Sequence, residues 1–159
     1  MNIFLEAHLE VLKALVEHRV DFILVGGYAV NFYGYNRVTG DLDLWLRPDN
    51  ANKTLLVDAM KWLGFEEEGL ATIQSWDFAK PNLFSIMERP FQVEFMTHIT
   101  GVEFSLAKEQ ATQVEFDGLA IKIIHLNDLI INKTLSGRTK DLADVEYLNK
   151  IKNRKDKLE

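Results

Sequence analysis

The sequence predicts an α+β fold, a mixed β-sheet covered by helices mainly on one face, with two further helices closing the chain. Three observations predict it. Helical and alternating apolar patterns follow one another as helix, strand, helix, strand, helix, several strands, then two helices. An Asp117-Gly118 pair between two short apolar runs is a strong hairpin signal. Only three prolines interrupt the 159 residues, with no repeat and no linker, so one domain is expected over 1–159, its core at about 20–125 and its C-terminal helices at about 126–152.

Residues 3–18 carry Phe4, Leu5, Leu9, Leu12, Leu15 and Val16 at helical spacing. The β-branched and aromatic run from Val20 to Val25 reads as a buried strand ended by Gly26-Gly27. Tyr28 to Tyr35 returns to helical spacing, with Gly34 near its end. Asp41 to Leu46 alternates as a two-faced strand. Pro48-Asp49-Asn50 predicts a turn and a helix cap, and the helix that follows runs to about Leu63 and stops at Gly64. Thr72–Phe78 and Leu83–Met87 read as short strands around Pro81-Asn82. Phe91 to Thr97 alternates more clearly. Val114–Phe116 and Leu119–Ile124 flank the hairpin turn. Helices are expected over Asn127–Leu135, ending at Ser136-Gly137, and from Lys140 to about Lys152.

Apolar residues make up 47% and charged residues 26%, an ordinary globular composition. No apolar run approaches the roughly 20 residues that span a bilayer, and the N-terminus has no cleavable signal pattern. With no cysteine, disulfides and thiolate metal sites are excluded, and a reducing cytoplasm is the default expectation. A net charge of −6 argues against broad DNA or RNA binding. The cations Lys150, Lys152, Arg154, Lys155 and Lys157 read as a solvated helix end.

The chemistry-bearing residues begin at Gly26-Gly27. A strand entering two glycines and then a helix leaves backbone N–H groups open at the helix start, and the missing Cβ atoms let a phosphate approach. A tight turn that merely needs glycine has the same sequence. In Asp41-Leu42-Asp43-Leu44 the period of two puts both carboxylates on one face. Two like charges side by side are costly unless a cation sits between them, and oxygen-only ligation suits Mg²⁺. An exposed acidic strand face is the other reading. Glu94, between Val93 and Phe95, points away from the apolar face of its own strand and is a third candidate ligand. Three carboxylates suffice for two ions; an outward strand residue would look the same.

Taken together, LVGGYAVNFYGYNRVTGDLDLWL resembles the signature of the nucleotidyltransferase superfamily, the polymerase-β-like fold. That signature is a strand, Gly-Gly or Gly-Ser, about a dozen residues, then Asp-x-Asp between apolar residues, with a third acid on a later strand. Here thirteen residues separate Gly27 from Asp41. The resemblance covers about residues 20–97 and implies a metal-bound nucleoside triphosphate, ATP among the candidates, held by Asp41, Asp43 and Glu94 with one or two Mg²⁺. Arg37 and Thr39 match an Arg-x-Thr that the family often carries before the acids; loop positioning is the alternative. The stretch IHLNDLIINKTLSGRTKDLADVEYL resembles the end of small bacterial members, including AbiEii-like proteins, some of them toxins of toxin–antitoxin pairs. It implies that Lys133, Lys140 and Arg138 meet the triphosphate. Read without the family, these are three cations around a helix–Gly–helix corner, equally suited to docking a phosphate or to complementing a helix dipole with Lys140 and Asp144 as an i,i+4 pair.

The chain departs from the pattern in having Gly27 where Ser is frequent, and Glu94 where Asp is more common. Tyr28, Tyr33, Tyr35, Trp45 and Trp76 offer base stacking or, as the composition favours, core packing. His98 shares a strand face with Glu94 by parity; His8, His18 and His125 show no partner pattern. The implied activity is transfer of a nucleoside monophosphate to a hydroxyl of an unidentified acceptor, whether small molecule, RNA end or protein. Two other readings stay open: a nucleotide-binding or regulatory relative without turnover, and a toxin–antitoxin component acting on tRNA or a partner protein. A homodimer or an antitoxin is the corresponding protein partner.

Overall fold

This computed structural model describes residues 4–35 and 40–158. Helix α1 (Glu6–Glu17) buries Val11, Leu12, Ala14 and Leu15. Strand β1 (Phe22–Val25) is buried on both faces. It turns directly into α2 (Gly26–Phe32). Strand β2 (Leu42–Leu46) runs antiparallel to β1. The Asp49 carboxylate caps α3 (Asn50–Trp62) by accepting the Asn52 N–H at 2.8 Å.

The next element departs from the sequence expectation. Thr72–Phe78 is not a strand; helix α4 (Glu67–Gln74) ends inside that stretch. Leu70 and Ile73 are buried three residues apart, and α4 packs on α3. The alternation past residue 74 comes from Trp76 and Phe78 turning inward onto Phe84, with ring centroids 5.2 and 6.0 Å from it. Period-2 spacing over so short a run does not separate a strand from a turn that buries aromatics.

Strands β3 (Leu83–Ile86) and β4 (Val93–Met96) pair antiparallel, and β4 joins β2 in parallel. A short helix that the pattern did not predict, α5 (Phe104–Gln110), buries Phe104 and Ala107 and sets Phe104 edge-on against Trp45. The hairpin β5 (Thr112–Phe116) and β6 (Leu119–Ile123) turns at Asp117 (φ 49°) and Gly118 (φ 79°), the positive angles of a primed two-residue turn. Helix α6 (Leu126–Ser136) ends at Gly137, and α7 (Thr139–Leu158) runs past the expected Lys152. There Lys155 lies over the Tyr33 ring, 5.4 Å from its centroid.

The sheet order is β3-β4-β2-β1-β6-β5, with parallel and antiparallel pairs, so it is the mixed sheet the sequence predicts. Leu42, Leu44, Val93 and Phe95 are fully buried, whereas Asp43 and Glu94 on the opposite parity are half-buried. No helix among the described residues is long and apolar enough to cross a membrane.

Buried Asn52 joins α3 to the end of β2. Its amide accepts the Asp21 N–H at 2.8 Å and donates to the carbonyls of Asp21 (2.9 Å) and Arg47 (3.2 Å). Asn52→Ala orphans the Asp21 N–H and takes one of two donors from each of the Asp21 and Arg47 carbonyls, which keep the Arg47 and Asp49 N–H groups, so a loss of about 1–3 kcal/mol is expected, read as the denaturant midpoint.

Candidate active site

The register builds the site. Val25 pairs with Asp43 across β1–β2, and Asp43 pairs with Glu94 across β2–β4. The Gly-Gly turn, the second aspartate and the glutamate therefore stand in one row across three strands. Asp41 precedes β2 by one residue, and the Leu42 N–H donates to the Gln92 carbonyl at 3.1 Å, which seats this end of β2 on β4. One oxygen each from Asp41, Asp43 and Glu94 lies within 4.8 Å of the others.

That spacing has an electrostatic cost. Burial first, then the charges of Glu94 and Asp41, push the Asp43 carboxyl up to about 7 against the pull of Lys133 and Lys140. Three carboxylates in so small a volume, with no histidine or cysteine among them, form an oxygen-only donor set. Its chemistry fits a hard divalent cation such as Mg²⁺.

Gly26 lies against this cluster with φ 68°. A Cβ built there would overlap the Asp43 carboxylate, 2.8 Å from its Cγ and 2.9 Å from its Cβ. Only hydrogen fits between the turn and the acid. Helix α2 starts here with no side-chain cap, so its first N–H groups stay open.

Gly26, Gly27, the three acids, Lys133, Arg138 and Lys140 all line one cleft of about 830 Å³. Its second wall is the corner between α6 and α7. Lys133 is buried and holds its ammonium 3.3 Å from Asp141 Oδ1 and 3.0 Å from Asp144 Oδ2. The exposed Arg138 side chain donates from Nε to Asp141 Oδ2 at 2.7 Å. Burial alone would raise Asp141, but the Arg138 hydrogen bond and the Lys133 charge outweigh it and hold that carboxyl below its usual range. Asp141, which the sequence offers only as a first-turn acid, is thus the post on which both cations are set. Its signal is the i+3 spacing from Arg138, legible only once the corner places Lys133 beside it. Lys133→Met removes the buried cation that sits between Asp141 and Asp144, so a loss of about 3–5 kcal/mol is expected in thermal or denaturant unfolding.

Other candidates fall elsewhere. Arg37 and Thr39 lie outside the described residues. None of the five aromatics lines the acid-bearing cleft: Tyr28 and Trp45 are buried, Tyr35 stacks on Tyr147 at 4.3 Å, Tyr33 donates to the Ile124 carbonyl at 2.6 Å, and Trp76 packs on Phe84. His98 follows the end of β4 and stands exposed on the rim of the cleft. Arg89 and Asn82, not singled out in the sequence, also line it. Buried His8 bonds the Tyr28 hydroxyl through Nδ1 at 2.9 Å, linking α1 to α2 behind the site.

No curated protein sequence matches the chain. Among solved structures, the chain is similar to the solution structure of the antibiotic-resistance factor ANT(2'')-Ia, with a TM-score of 0.57 at 11% identity, covering 89% of this chain and 80% of that one. At that identity the likeness speaks to the fold. Residues 4–159 match the family model described as "Nucleotidyl transferase of unknown function". That match spans nearly the whole sequence, and the chain belongs to the DUF2204 family of nucleotidyl transferases.

Proposed function

We propose that this protein is a Mg²⁺-dependent nucleotidyltransferase that moves a nucleoside monophosphate from a nucleoside triphosphate to a hydroxyl of an acceptor. The observation that carries this reading is the convergence of the Asp41, Asp43 and Glu94 oxygens within 4.8 Å, directly beside Gly26. The acceptor hydroxyl gives up its proton to solvent as its oxygen attacks the α-phosphorus in line, the bond to the bridging oxygen of the β-phosphate breaks, and pyrophosphate leaves. When bound by the three acids, Mg²⁺ supplies charge neutralisation for the α-phosphate and the departing pyrophosphate.

The chain's own groups do the rest. Gly26 and Gly27 let the triphosphate approach the open N–H groups at the start of α2. Lys133 and Arg138, set by Asp141, and the exposed Lys140 face the β- and γ-phosphates from the opposite wall. This pairing of rigid donors across a cleft lowers the cost of orienting the triphosphate before reaction. The test is Asp41→Asn/Asp43→Asn. Mg²⁺-dependent triphosphate binding should be lost and pyrophosphate release should fall at least about 100-fold. Wild-type binding and turnover in that variant would remove the reading.

A further inference from the structure

The end of the cleft beyond β4 is polar in a one-sided way. Thr97 is fully buried, and its hydroxyl donates its single proton to the Lys80 carbonyl at 2.8 Å. The same oxygen accepts the Asn82 backbone N–H at 2.8 Å. His98 Nδ1 stands 3.1 Å from it. With the threonine proton already committed, Nδ1 must be the donor, so the neutral imidazole keeps its proton on Nδ1 and leaves Nε2 as a bare acceptor.

Asn82 reaches the same state by a different route. Its amide nitrogen lies 2.8 Å from the Asp77 carbonyl and 2.7 Å from the Lys80 carbonyl. Both neighbours are acceptors, so the NH₂ group must face them, and Oδ1 is the atom left over. His98 and Asn82 line the cleft together with the apolar Leu83, Met96 and Ile99. The loop bearing His98 is held in place, because Gly101 packs directly on Leu135 and Ile131 of α6, and Asn132 donates to the Thr100 carbonyl at 3.1 Å.

Apolar walls with two acceptors and no free donor on these side chains suit a flat heterocycle that brings its own paired protons. His98 follows β4, the strand that carries Glu94, and lines the same cleft as the three acids. We propose that Asn82 Oδ1 and His98 Nε2 form the base-reading end of the site and select a nucleobase carrying an exocyclic amine, one amine proton to each acceptor. A 6-oxo or 4-oxo base turns a carbonyl towards these acceptors, has only its ring N–H to give to one of them, and is disfavoured. This inference rests on the nucleotidyltransferase reading of the same cleft.

Calorimetric titration without acceptor tests it, using Mg²⁺ complexes of tripolyphosphate, ATP, ITP, CTP and UTP. ATP should bind about tenfold tighter than ITP, and CTP about tenfold tighter than UTP, since each pair trades a two-proton amine for a carbonyl and a single ring N–H. His98→Ala should bring both ratios close to one while leaving tripolyphosphate affinity intact. Equal affinities within both pairs in the unaltered protein would overturn the inference and assign the two acceptors to the hydroxyl substrate instead. So would a His98→Ala loss that is as large for tripolyphosphate as for ATP. Failure of tripolyphosphate itself to bind is a different result, and removes the nucleotidyltransferase reading together with this one.

Discussion

Gly26→Ala is expected to weaken Mg²⁺-dependent triphosphate binding at least about 100-fold and to destabilise the protein by about 2–4 kcal/mol. Two costs combine. The residue sits at φ 68°, where an L side chain is strained. The added methyl also occupies the space of the Asp43 carboxylate, which must swing away from Asp41 and Glu94 or push the β1–α2 turn out of its row. Either movement separates the acids from the open N–H groups of α2. Gly69→Ala is the matched control. It lies inside α4, where a Cβ meets nothing within 4 Å, and should stabilise the protein by about 0.5–1 kcal/mol. Calorimetry and thermal melts read both variants. Wild-type affinity in Gly26→Ala would show that the close approach of turn and acid has no bearing on ligand binding.

Asp43→Asn should separate stability from function. In the folded protein the Asp43 carboxyl is pushed up to about 7, chiefly by burial and then by Glu94 and Asp41. A raised carboxyl binds its proton more tightly folded than unfolded. Its stabilisation is therefore complete below the ordinary carboxylate range and is lost as pH rises to about 7. Without metal, the wild-type protein should lose roughly 2–4 kcal/mol from this group across that window. Asparagine keeps the shape and removes the titration, so Asp43→Asn should be the more stable protein at pH 8 without metal and should gain nothing from Mg²⁺. Its remaining slope should have the opposite sign. Burial lowers the His8 pKa, against the pull of the Phe91 and Gln92 carbonyls and Asp41, so the unfolded chain takes up that proton first. Stability should then fall as pH drops below the ordinary histidine range. Melting temperatures from pH 5 to 8, with and without Mg²⁺, check both halves. An unchanged pH slope in Asp43→Asn would contradict the electrostatic account of the cluster.

The strands that carry the acids were legible because burial writes itself into local spacing. Leu42 and Leu44 alternate with Asp41 and Asp43, Val93 and Phe95 flank Glu94, and Asp117-Gly118 names its own turn. Where burial came from a turn folding onto the next segment or from a distant partner, local spacing misled. Trp76 and Phe78 look like a strand because they fold onto Phe84, and Phe104 gives no helical signal until Trp45 is set against it.

The same division holds at the site. The sequence by itself determined which residue types were available: glycines after a buried strand, two aspartates on one strand face, a glutamate on another, and three cations around a helix corner. Chain order and residue type suffice for that, since a strand's period sets which side chains share a face. Only the tertiary structure decided that Asp43 and Glu94 are register partners, that Gly26 touches Asp43, and that Asp141 holds Lys133 and Arg138. These are relations between segments far apart in the chain. Strand pairing and the packing of α6 on α7 set them, and no local pattern encodes either.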